Sequence, residues 1–106
     1  MPKYLIRATY TTDGVKGLLK EGGSARRSAV QKMVEALGGT LEGFYFAFGD
    51  DDVILIVDGG DNVGTAAASL VASASGTVHT RVTVLLTPQE IDEAVKRGVS
   101  YRPPGS

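Results

Sequence analysis

An α+β fold built on one antiparallel sheet is what this chain of 106 residues predicts, from three observations. In the stretch from Phe44 to Asp58, two runs rich in aromatic and β-branched residues flank Gly49-Asp50-Asp51-Asp52, the pattern of a β-hairpin. All three phenylalanines lie here in a chain without tryptophan, so the hairpin is expected to carry much of the large apolar surface of the core. Segments of helical spacing stand on either side of it. Near each end of the chain lies a run that alternates like a strand.

Taken in order, Lys3 to Tyr10 reads as a strand with Tyr4, Ile6 and Ala8 on one face and Leu5, Arg7 and Thr9 on the other. Thr11-Thr12-Asp13-Gly14 is a turn in which Thr12 or Asp13 caps a short helical turn through Val15, Leu18 and Leu19. Gly22-Gly23 breaks that pattern into a loop, and Ser24 is the expected N-cap of a longer helix to Leu37. Its apolar stripe is Ala29, Val30, Met33, Val34 and Leu37, and Gly38-Gly39 supplies the C-cap.

The hairpin arms are Thr40 to Phe48 and Val53 to Asp58. Asp61-Asn62 offers an N-cap for a helix over Val63 to Ala74, whose small side chains are expected to let it lie close to the sheet. Thr77 to Leu86 is the last strand, with Val78, Thr80, Val82 and Val84 on one face and His79, Arg81, Thr83 and Leu85 on the other. The sharpest local signal is Thr87-Pro88-Gln89-Glu90: an N-cap threonine, proline at the first helical position, and the glutamate of a capping box. That helix runs from Gln89 to Arg97. A domain of residues 1–98 and an extended tail of residues 99–106 follow.

The order β-α-β-β-α-β plus a terminal helix describes a ferredoxin-like antiparallel sheet with both long helices on one face. The other face is then an apolar patch of Leu5, Ile54 or Leu55, Leu85 and Tyr45 or its phenylalanine neighbours. It is too large to leave uncovered in a monomer. A homodimer stacked sheet to sheet is the expected remedy.

Composition narrows the function classes. With 11 Lys+Arg against 12 Asp+Glu the net charge is −1, leaving no broad basic field for nucleic acid or an anionic membrane. The absence of cysteine excludes disulfides, thiol catalysis and cysteine-held metals, and favours a cytoplasmic setting. The start of the chain carries no apolar signal core, and no apolar run approaches the roughly 18 residues of a membrane span.

Several of these features resemble the GYD-domain family. They are the opening strand ending in Thr11-Thr12-Asp13-Gly14, the helix ending Gly38-Gly39, Gly43-Phe44-Tyr45, the Gly49-Asp50-Asp51-Asp52 turn and its following strand, and the Ser100-Tyr101-Arg102-Pro103-Pro104-Gly105 ending. By position Gly49 and Asp52 match the glycine and aspartate of the naming motif, and Asp51 stands where the tyrosine is expected. The resemblance implies a dimeric α/β barrel enclosing a space between two sheets. It implies no established activity.

The candidate ligand-binding residues are Arg7, Arg81, His79 and Tyr45. Arginine offers a planar fork to a carboxylate, and histidine can move a proton near neutral pH. They point to a small, partly apolar or anionic ligand in the barrel. A cofactor-free enzyme of the monooxygenase or isomerase kind, with His79 as acid/base and Tyr45 as an orienting phenol, is the alternative; a packed dimer core without a ligand is the third. On the plainer account, Arg7 and Arg81 simply pair with Glu42 or Asp58. Asp50, Asp51 and Asp52 read as turn chemistry rather than a cation site, since one tight turn seldom directs three carboxylates to one point. No cofactor is expected, because no Walker or dinucleotide glycine pattern is present and a single histidine cannot build a multi-histidine metal site.

Overall fold

Eight elements follow one another in the computed structural model, which describes residues 1–106. They are β1 (Lys3–Tyr10), α1 (Thr12–Glu21), α2 (Gly23–Ala36), β2 (Gly39–Phe46), β3 (Val53–Gly59), α3 (Asn62–Ala74), β4 (Val78–Leu85) and α4 (Pro88–Lys96). The strands form one sheet in the order β2-β3-β1-β4, every neighbouring pair antiparallel. The fold is therefore α+β, with a four-stranded antiparallel sheet and four helices.

Which side chains share a face follows from the register. Tyr4, Ile6, Ala8 and Tyr10 of β1 stand opposite Val84, Val82, Thr80 and Val78 of β4. Across the other edge of β1, Tyr4, Ile6 and Ala8 stand opposite Val57, Leu55 and Val53. This is the helix face. Its fully buried cluster is Ala8, Val34, Leu41, Val53, Leu55 and Val57. Tyr4 is the most deeply buried large residue, at 1% exposure, and its hydroxyl donates to Asn62 Oδ1 at 2.6 Å.

In three places the structure departs from the sequence reading. The two first helices are separated by a single residue, Gly22, at φ +83°, rather than by a loop. A left-handed conformation at that residue turns the chain in one step, which glycine does without steric cost. Consequently α1 is a full ten residues capped by Thr11, and α2 starts at Gly23 with no side-chain cap from Ser24.

The phenylalanines do not form the core. Phe44 and Phe46 meet edge to face, with centroids 5.4 Å apart, at the margin of the helix face. Phe48 lies fully exposed beyond the end of β2. The pairing of β2 with β3 stops at Phe46↔Val53, so Phe48 falls in the turn, and the valines and leucine of β3 take the central position.

The small side chains of α3 do not fill the space beneath it. A partly enclosed cavity of about 350 Å³ lies between α2, α3 and the sheet. The hydroxyls of Ser69 and Thr80 bridge α3 to β4 across part of it.

At the C-terminus, α4 carries the expected capping box, with Thr87 and Glu90 each bonding the other's backbone N–H. This helix has no substantial packing partner in the chain, and Val95 and Val99 are more than three-quarters exposed. The chain past Lys96 forms no further helix or strand. No helix is long and apolar enough to cross a membrane.

The cap makes a pH prediction. The hydrogen bond from the Thr87 backbone holds the Glu90 carboxyl below its ordinary pKa. A depressed folded-state pKa contributes stability above the unfolded value and loses it as pH falls through the folded one. Acidification below the usual glutamate range should therefore fray α4 while the sheet persists. Backbone chemical shifts of residues 88–96 followed down the acid range should show this, and Glu90→Gln should flatten the response.

Candidate functional site

Opposite the helices lies a bare sheet face, built by the other half of the strand alternation. Lys3, Leu5, Arg7 and Thr9 of β1 stand opposite Leu85, Thr83, Arg81 and His79 of β4. On the other side, Leu5 and Arg7 stand opposite Ile56 and Ile54 of β3. Tyr45 of β2 stands opposite Ile54 in turn, and Gly43 opposite Ile56. On this face Arg7, Thr9, Tyr45, His79, Arg81 and Thr83 are exposed, and Leu5, Ile54, Ile56 and Leu85 are half-buried.

Tyr45 reaches this face because of an irregularity in β2. The register steps from Leu41↔Val57 directly to Gly43↔Ile56, so Glu42 is an extra residue in the ladder. The bulge lets Leu41 and Phe44 share the helix face although they are an odd number of residues apart. It also leaves the Glu42 side chain directed at Lys3, whose Nζ lies 2.5 Å from Glu42 Oε1 and 3.5 Å from Asp58 Oδ1. The hydrogen bond with Glu42 raises the Lys3 pKa.

That ion triad decides the pairing of the arginines. Glu42 and Asp58 are both taken by Lys3, so neither serves Arg7 or Arg81. Arg81 instead donates to Asp51 Oδ1 in the hairpin turn, at 2.6 Å. Arg7 has no carboxylate within ion-pair distance. Two guanidiniums thus stand side by side on adjacent strands, and only that of Arg81 is paired with a carboxylate. Like charges directly opposite in a sheet are destabilising, which gives the pair a standing preference for one more anion.

Not all four candidate residues come together. Arg7 and Arg81 are direct cross-strand partners, and His79 lies two residues along β4 from Arg81 on the same face, opposite Thr9. Tyr45 is separated from Arg7 by Ile54, which places it two strand spacings away, about 10 Å. Asp51 was missing from the sequence-derived set. Thirty residues separate it from Arg81, and no local pattern announces such a partner.

Two of the three turn aspartates have partners, and different ones. Asp51 holds Arg81, while Asp52 accepts the Tyr10 backbone N–H on its carboxylate at 2.8 Å and donates its own N–H to the Ala8 carbonyl at 2.9 Å. No group of three or more metal-capable side chains is gathered in the chain.

Fold and face together define a small α+β protein with one clothed and one bare side to its sheet. The GYD domain model matches residues 4–95, and the chain belongs to the GYD family. Neither a curated protein nor a solved structure matches it. Within the matched span, Asp52 fastens the hairpin turn to β1.

Proposed function

We propose that two ferredoxin-like chains pair through their bare sheet faces as a dimeric α/β barrel, and that the barrel binds a small, partly apolar anion. The observation that carries this is Arg7: an exposed guanidinium without a counter-ion, beside Arg81 and flanked by Leu5, Ile54 and Ile56. A second copy stacked on this face would desolvate the isoleucines and leave the arginine pair directed at the enclosed space. The uncovered α4, with Val95 exposed, offers further apolar surface to a partner. The lack of cysteine fits a reducing, cytoplasmic setting.

Acid–base catalysis is the less favoured reading. Within one chain Tyr45 and His79 lie on opposite outer strands of the sheet, so they do not converge on one reacting atom.

Native mass spectrometry of gently purified protein tests the proposal. The expected result is a dimer, with Ile56→Lys running as a monomer that keeps its far-UV circular dichroism. Phenylacetate should stabilise the dimer against heat. Arg7→Ala should weaken that effect about tenfold, the loss of one charge-assisted contact. A wild-type monomer at micromolar concentration would remove the barrel; unchanged binding in Arg7→Ala would remove the anion site.

A further inference from the structure

The cavity on the clothed side of the sheet supports a separate conclusion. Its walls come from three layers: Ile6 and Leu55 on the sheet, Val30 and Val34 on α2, Ala68 and Ala72 on α3. At about 350 Å³ it falls at the small end of the roughly 300–1,000 Å³ range of small-molecule pockets. Apolar space of this size is unfavourable to leave empty, because the surrounding side chains forfeit their packing contacts.

Two charged residues line this largely apolar space: Asp61, whose carboxylate accepts the Gly64 N–H as the N-cap of α3, and Arg26. Arg26, in the first turn of α2, places a guanidinium at the cavity. One terminal nitrogen lies 3.3 Å from Glu21 Oε1, but Nε is buried and has no hydrogen-bond partner. Buried N–H groups are nearly always satisfied, and one on a guanidinium is costly to leave otherwise. Tyr10 lines the same cavity. Its half-burial pushes the phenol's pKa up, so the hydroxyl stays protonated and able to donate.

We infer that this cavity is a binding site for a small carboxylic acid with an apolar body, its carboxylate received by Arg26 and its body by the space between α2, α3 and the sheet. The guanidinium matches a carboxylate, and Glu21 engages only one of its two terminal nitrogens, leaving the other for a ligand. Val30, Val34, Ile6 and Leu55 offer the body only apolar contact, so selectivity rests on the head group and on length. The site does not depend on the barrel proposal: its residues lie on the opposite face of the sheet from Arg7 and Arg81.

Decanoate and 1-decanol serve as matched probes, followed by isothermal titration and thermal melting of the full-length protein. Wild-type protein should bind decanoate once per chain, melt at higher temperature with it, and bind decanol at least about tenfold more weakly. Arg26→Gln should bring decanoate down to the level of decanol and leave decanol unchanged. Ala68→Leu, which fills the cavity, should lose both probes. Should Ala68→Leu fail to fold, the head-group selectivity of Arg26→Gln decides alone. No decanoate binding to the wild type overturns the inference, as does wild-type affinity in a folded Ala68→Leu. Loss of decanoate in Arg7→Ala but not in Arg26→Gln also overturns it, assigning the acid to the barrel instead.

Discussion

Tyr4→Ala should lower the unfolding free energy by about 3–5 kcal/mol, the usual cost of truncating a buried aromatic to alanine. Tyr4 is the most enclosed large side chain in the molecule, standing between Val57 and Val84 at the centre of the sheet. Its removal opens a void in a core that has only seven fully buried apolar residues, so few neighbours remain to collapse inward. A second loss adds to it. The phenol donates to Asn62, the first residue of α3, and so fastens β1 to that helix. Tyr4→Phe isolates this part and should cost about 1 kcal/mol, since the Asn62 side chain is exposed and finds water. Urea unfolding of the three proteins gives both numbers. A loss below about 1 kcal/mol in Tyr4→Ala would contradict the packing described.

Gly14→Ala should destabilise the protein by about 1–3 kcal/mol, although the same change in an open helix stabilises by about 1. Gly14 lies in the first turn of α1 and is buried against the Thr77 backbone carbonyl. A methyl group there would collide with that oxygen and would sit 2.9 Å from the Tyr10 ring. The carbonyl cannot easily retreat, because it accepts the Thr11 N–H at 3.0 Å, and Thr11 Oγ1 donates to the neighbouring Gly76 carbonyl at 2.7 Å. Gly17, one turn along, has nothing within 4 Å of such a methyl. Gly17→Ala should therefore stabilise by a fraction of a kcal/mol up to about 1. Opposite signs from two glycines of one helix separate propensity from packing. Equal signs would mean that α1 does not sit against Thr77 as described.

Local chemistry was legible in the sequence wherever it needed only neighbours along the chain. The capping box of Thr87 and Glu90, the N-cap region at Asp61 and the alternation of β4 each involve residues within a few positions of one another, and each appears in the structure. The element order followed from these. What could not be read was anything set by pairing across strands. A bulge at Glu42 leaves no local mark, yet it decides that Tyr45 faces away from the helices. The partner of Arg81 is thirty residues distant, and Lys3 takes both carboxylates that the sequence offered to the arginines. Likewise, the cavity beneath α3 depends on how far that helix stands from the sheet, which a run of alanines leaves open.

Asp52 settles a question that hydrophobicity leaves undecided. Val53-Ile54-Leu55-Ile56-Val57 is equally apolar on both sides, so a slip of β3 by one residue would still offer oily side chains to either surface. Pattern alone does not say which set goes where. Asp52 does, because its carboxylate, its N–H and its carbonyl are fastened to Tyr10, Ala8 and Ala47 on the two flanking segments. This one residue acts as the sheet's index mark. It puts Val53, Leu55 and Val57 indoors and Ile54 and Ile56 beside Arg7. The layout of the bare face is written by the last aspartate of the turn.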